Sequence, residues 1–163
     1  MGPREVTRLI DRYAGPLMLY ARQWSAAPED VVQDAFVKLV AQTRPPDDPI
    51  AWLYRVVRNG AIDGAKLARR RQSRESAVAR PVRWFVESAV DGLDAEAAVA
   101  ALQQLPAEQR EVIIARLWGG LNFEQIADVA GTSASTAFRR YGAGIDALRR
   151  ALGVACPDQS TKS

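Results

Sequence analysis

The sequence predicts an all-α protein: two small helical domains joined by a linker, the C-terminal one containing a helix-turn-helix. Three observations predict it. Apolar residues recur at the 3.6-residue spacing of amphipathic helices along most of the 163 residues. No stretch alternates polar and apolar residues for long enough to supply a sheet. The helical spacing lapses over 73–93, and the charge changes sign over 76–104. Residues 1–75 hold 13 Lys and Arg against 9 Asp and Glu, 76–104 hold 2 against 4, and 105–163 hold 7 against 6. The expected organisation is therefore a first domain over 1–72, a linker over 73–93, a second domain over 94–155 and a tail over 156–163.

In chain order, the first helix is expected over 4–23, bent near Gly15-Pro16, with Val6, Leu9, Ile10, Tyr13, Leu17 and Tyr20 turned inward. Pro28 suits a first helical turn, and Glu29 and Asp30 complement the positive end of the helix dipole. That second helix runs to about Val40 and buries Val32, Ala35, Phe36, Leu39 and Val40. Residues 42–48, QTRPPDD, form a proline-stiffened loop. A third helix starts near Pro49, buries Ile50, Leu53, Tyr54, Val57 and Ala61, and ends in the basic run Arg69-Arg70-Arg71. In the linker, the adjacent aromatics Trp84 and Phe85 are expected to dock on a neighbouring domain.

Helical spacing returns over 94–104, 106–118, 123–130 and 132–152. Asn122 and Gln125 have the spacing of a capping box, with Leu121 and Ile126 as the hydrophobic staple. Gly131 stands where a helix ends on a left-handed glycine, and Thr132 is expected to cap the next helix. Two helices joined by so tight a turn make a helix-turn-helix. On the last helix, Ala137, Tyr141, Gly144, Ile145, Leu148 and Leu152 form an apolar stripe. Its other face shows Ser133, Ser135, Phe138, Arg139 and Gly142. The start of such a second helix enters the major groove. Short hydroxyls there bond phosphate, an arginine can pair bidentately with guanine, and an aromatic ring can meet a thymine methyl. Gly142 and Gly144 each weaken the helix, by about 1 kcal/mol relative to alanine, and would either allow close approach of another helix or let this one fray.

Composition narrows the chemistry. There is no histidine, and the one cysteine, Cys156, is expected to be a free thiol in the tail. No intrachain disulfide, usual zinc cluster or histidine-based triad can be assembled from this set. Gly119-Gly120 is not followed by the Lys-Ser/Thr of a phosphate loop. No cofactor is expected, and no enzymatic activity. No apolar run approaches the roughly 20 residues of a membrane span. The N-terminus passes straight into an amphipathic segment, so a signal peptide is not expected and the predicted location is cytoplasmic. A net charge of +3 and a pI near 9.3 suit a nucleic-acid partner without requiring one.

Residues 105–148, LPAEQREVIIARLWGGLNFEQIADVAGTSASTAFRRYGAGIDAL, resemble region 4 of bacterial RNA polymerase sigma factors, which reads the minus-35 promoter element. Separately, 28–40 (PEDVVQDAFVKLV) and 49–71 (PIAWLYRVVRNGAIDGAKLARRR) resemble region 2. In this order, with nothing resembling the third domain of larger sigma factors, the chain resembles the extracytoplasmic-function (ECF) group. The resemblance implies a subunit that binds core RNA polymerase, recognises minus-35 and minus-10 elements, and aids promoter melting. It assigns Asp30, Gln33, Asp34 and Lys38 to the beta-prime clamp helices, and implies a contact with the beta subunit flap. It assigns Trp52, Arg55, Arg58, Asn59, Lys66, Arg69 and Arg70 to the minus-10 element, with Asn59 at a pocket for an extruded base. Arg71 continues the basic run toward duplex phosphate, and Asp63 is expected to be structural. Thr132, Ser133, Ser135, Phe138 and Arg139 fall to the minus-35 element. An anti-sigma factor is a further partner common in the family.

The sequence departs from familiar members at four places. Only Trp52, preceded by Ala51, stands where primary sigma factors carry a tryptophan pair. The loop 43–48 lacks the phenylalanine-rich run often found there. Phe138-Arg139-Arg140 replaces a basic residue, serine and arginine, and Gly142-Ala143-Gly144 replaces bulkier, more basic residues. Two rival readings exist: an autonomous helix-turn-helix regulator, and an interaction-only relative that titrates a partner. The first leaves Asn59 and the Asp30/Gln33/Asp34 pattern without a role.

Overall fold

A computed structural model describes residues 1–72 and 95–153. The linker expected over 73–93, with Trp84 and Phe85, and Cys156 in the tail lie outside the described residues. Among the described residues the fold is all-helical, with α1 Pro3–Ala21, α2 Pro28–Val40, α3 Pro49–Gln72, α4 Ala95–Gln104, α5 Ala107–Leu117, α6 Phe123–Ala130 and α7 Ala134–Ala151.

Five of these seven starts have a local cause. Pro3 and Pro28 occupy the first positions of α1 and α2, where a missing N–H costs nothing. Asp48 begins α3 by accepting the Ala51 N–H at 3.0 Å. Asn122 and Gln125 form the expected capping box, each side chain accepting the other's backbone N–H at 2.8 Å. Gly131, at φ 68°, ends α6 in the left-handed region that a side chain would strain. The cap of α7 is Ser133, which accepts the Thr136 N–H at 3.1 Å, and not Thr132 as expected. The turn runs one residue longer than the sequence suggests, because Thr132 donates its own N–H to Ala127 in closing α6.

The α1–α3 unit packs around Leu17, Tyr20, Leu39, Leu53, Tyr54 and Val57. Ile10 and Val40, both expected inside, are 41% and 62% exposed. Each lies beside the inward stripe, lining an open apolar groove between α1 and α2. In the second unit, α4, α5 and α7 meet around Leu102, Leu105 and Ile113. Gly144 explains itself here: a Cβ would stand 2.5 Å from Ile113 Cδ1, so α7 approaches α5 as only glycine permits. Nothing packs within 4 Å of a Cβ at Gly142.

The two units do not stand apart. Val112, Ile114, Ala115, Leu121 and Ile126 join one continuous core with Leu17, Tyr20, Tyr54 and Val57 of the first unit. Helix α6 lies on α3, and α5 lies on α1. At the seam, a Cβ on Gly119 would stand 2.5 Å from the buried Tyr54 hydroxyl.

Candidate nucleic-acid and polymerase interface

Helix α2 turns Val32, Ala35, Phe36 and Leu39 inward, so Asp30, Gln33, Asp34 and Lys38 fall on its opposite, exposed face. Asp34 and Lys38 pair at 2.7 Å one turn apart. Such an exposed pair contributes only about 0.3–0.5 kcal/mol and opens readily for a better partner. The sequence-predicted polymerase face is thus assembled on a single helix.

Helix α3 is divided along its length. Asn59, Lys66, Arg69 and Arg70 are exposed on its outer side and C-terminal half. Asp63, expected to be structural, is also exposed. Trp52, Arg55 and Arg58 instead face the second unit. Arg55 pairs with Asp128 of α6. Asp48 accepts from Gln125 Nε2 at 2.6 Å, so Gln125 caps its own helix and ties it to α3. These residues rim a cleft of about 620 Å³ between the loop before α3 and α6.

Sequence reasoning missed the centre of this seam. Glu111 of α5, only 6% exposed, accepts from the Tyr20 hydroxyl at 2.7 Å and from Arg58 Nε at 2.5 Å. The Arg58 guanidinium also lies 5.7 Å above the Trp24 ring, which packs edge-on against Tyr20 at 5.2 Å. Burial alone would lower the Arg58 pKa, but the hydrogen bond and negative charge of Glu111 outweigh it and hold it above the ordinary value. Tyr20 is raised well above the usual phenol value, first by burial and then by the Glu111 charge. Burial likewise raises Tyr54. The signal was present in Val112-Ile113-Ile114-Ala115, a run apolar on all sides and therefore buried on all sides. Ile113 faces the second unit's own core, while its neighbours face the first.

On α7, Ser133, Ser135, Phe138 and Arg139 are exposed together along the first turns, with Thr132 half-buried at the turn. Ser133 Oγ is 2.9 Å from Thr136 Oγ1, and Arg139 Nη2 donates to that same hydroxyl at 3.1 Å. Phe138 is 61% exposed. The groups expected at the minus-35 element therefore share one open face, whereas those expected at the minus-10 element are split between an open edge and the seam.

Comparisons with known proteins agree with this division. Residues 8–75 match the family model for Sigma-70 region 2, and residues 95–148 match the model for Sigma-70 region 4. The chain is 29% identical over 126 residues to ECF RNA polymerase sigma factor SigJ of Mycobacterium tuberculosis, and spans 39% of that protein's length. With ECF RNA polymerase sigma factor SigL of the same species it is 32% identical over 155 residues, covering 88% of this chain and 86% of the relative. Among solved structures it is similar to the sigma factor RpoE of Bartonella quintana, solved with the anti-sigma factor NepR: TM-score 0.68, 25% identity, 92% and 97% of the two chains. The fold also matches CnrH, solved with the cytosolic domain of CnrY, at TM-score 0.60 and 23% identity over 95% and 92% of the chains. Two region matches in this order, with a relative of nearly the same length, are decisive: the chain belongs to the ECF sigma factors of RNA polymerase.

Proposed function

We propose that this chain binds core RNA polymerase and directs it to promoters, reading a minus-35 element through α7 and a minus-10 element through α3, and that it acts as a non-catalytic subunit in the cytoplasm. The observation that carries this reading is the separation of faces. An exposed acidic face lies on α2, basic and amide groups lie along α3, and a hydroxyl, aromatic and arginine face opens on α7. A regulator needing only DNA has no use for the first. Among the described residues no helix is long and apolar enough to cross a membrane.

The roles follow from chemistry. Asp30, Gln33 and Asp34 offer acceptors to the beta-prime clamp helices, and the second unit meets the beta flap. Asn59 presents an amide able to donate to and accept from the edge of an extruded base, offsetting the few kcal/mol of unstacking. Lys66, Arg69 and Arg70 meet phosphate. Ser133 and Ser135 bond phosphate at the N-terminus of α7, and Arg139 reads guanine. An anti-sigma protein as a further partner is supported by the complex with the anti-sigma factor NepR in which the RpoE neighbour was solved.

The closed packing bears on this function. Elements named for positions 10 and 35 upstream of the start lie about 25 base pairs apart, roughly 85 Å of duplex at about 3.4 Å per base pair. A compact body of this many residues is about 40 Å across. Both elements are read together only when the seam at Glu111 opens, which also releases Trp52, Arg55 and Arg58. The test is promoter binding with and without core polymerase. The holoenzyme should bind specifically and the free chain only weakly. Specific binding by the free chain at about 10⁻⁸ M or tighter, the range of dedicated regulators, would contradict the proposal.

A further inference from the structure

Phe138 is an exposed aromatic ring on the recognition helix, yet it does not stand alone. Its ring meets that of Phe123 at right angles, centroids 5.3 Å apart. Phe123 is itself fixed from three sides. It is the first residue of α6, directly after the Asn122 capping box, so its backbone is held. The Arg116 guanidinium covers its ring at 5.1 Å while donating to the Leu121 carbonyl at 2.9 Å. Tyr141, one turn beyond Phe138 on α7, packs edge-on against it at 5.5 Å. The capped end of α6 thereby sets the ring orientation of a residue 15 positions away on α7.

We propose that Phe123 is a positioning residue for promoter specificity: it holds Phe138 in a fixed orientation, so that Phe138 presents a preset apolar edge to the C5-methyl of one thymine in the minus-35 duplex. This rests on the reading that α7 enters the major groove. The thymine methyl is the only apolar group that a base pair displays there, and an apolar side chain recognises it by contact alone. A phenylalanine with free torsions would lose rotamer freedom on contact, whereas one already held loses less. Phe123 belongs to the first helix of the motif, the one that crosses the backbone, so its part is to hold the reading ring and not to read. Arg139 beside it is preset in the same manner, through Thr136 and the Ser133 cap.

The experiment uses core polymerase with the full chain and a duplex pool randomised across the minus-35 region, made once with thymine and once with uracil. Uracil differs only by the missing methyl. Wild-type holoenzyme should select one position at which thymine is preferred over uracil by about fourfold, the value of one buried methyl-sized group. Phe138→Ala should abolish that preference. Phe123→Leu, which keeps bulk but removes the ring, should cut it to about half or less, while other positions keep their preference and the melting temperature stays near wild type. Phe123→Tyr should restore it. Full fourfold discrimination in Phe123→Leu, or no methyl-dependent position in wild type, would overturn the proposal. So would loss of all base preference in Phe123→Leu together with thermal stability, which marks simple packing. If wild-type holoenzyme selects no minus-35 sequence at all, the assignment of α7 to promoter reading fails first.

Discussion

Asn59 and Asp34 are both exposed, so substituting either should leave the fold intact, within the roughly 0.5 kcal/mol usual for open positions. Their effects should nevertheless differ in kind. Asp34→Arg should weaken competition for core polymerase, because it reverses a charge on the outward face of α2 and removes the Lys38 partner. Equal competition by variant and wild type in a core-binding titration would remove that face from the interface. Asn59→Ala should leave core affinity and minus-35 recognition unchanged while promoter opening, followed by permanganate reactivity, declines. A template already unpaired across the minus-10 element should recover part of the loss. At this scale the sequence was legible where side chains point outward. Asp30, Gln33, Asp34, Phe138 and Arg139 all lie on the faces that periodicity gave them. It was less legible where two residues distant in sequence complete each other: nothing in Tyr20, Arg58 or Glu111 alone announces a shared hydrogen bond across 91 and 53 positions.

Among the elements, helix starts were readable wherever a proline or a capping box makes them local. The boundary of α7 was misplaced because Thr132 and Ser133 are both good caps, and tertiary closure of α6 decides between them. Ile10 and Val40 were misassigned for a related reason. Helical periodicity marks a stripe but not its width, and the edge of the stripe here borders an open groove. Gly144 gives the element-scale prediction. A leucine there would meet Ile113 Cδ1 and Gln109 Cβ on the facing helix and force α5 and α7 apart. Overpacking of this kind costs about 1–3 kcal/mol. Gly144→Leu should therefore lower the melting temperature of the full chain and reduce minus-35 binding. Gly142→Leu, at a position with open space, should stabilise α7 or leave it unchanged. Equal effects at the two glycines in thermal melts would show that helix propensity, not close approach, governs them.

Over the whole molecule, the two-unit organisation was legible from the lapse of periodicity, but the packing of one unit on the other was not. The Val112–Ala115 run carried that information only as an excess of apolar surface with no named partner. The seam combines apolar burial with the exposed Arg55–Asp128 pair at its edge and the Arg58–Glu111 pair at its centre. Removing a hydrogen bond to a charged group costs about 1.5–3 kcal/mol. Glu111→Ala, which removes both hydrogen bonds, should therefore shift the population toward separated units, by a factor of about 10 or more, and raise the radius of gyration measured by small-angle scattering. An unchanged radius would show that the apolar seam alone holds the units. Tyr20 adds a pH dependence. Its folded pKa lies above the ordinary value of about 10, so the folded chain holds that proton more tightly than the unfolded chain. The stability it contributes is complete below about pH 10 and is lost as pH rises toward the folded value. Tyr20→Phe should flatten the alkaline part of the melting profile.

Transcription itself is the most direct test. Core polymerase, the purified chain and a library of genomic fragments from the same source are incubated, and the 5′ ends of the RNAs are mapped. Initiation should concentrate at discrete sites that share two short elements at one fixed spacing, and Asp34→Arg should suppress all of them together. Initiation no different from that of core polymerase alone, from a correctly folded chain, would contradict its assignment as a promoter-directing subunit.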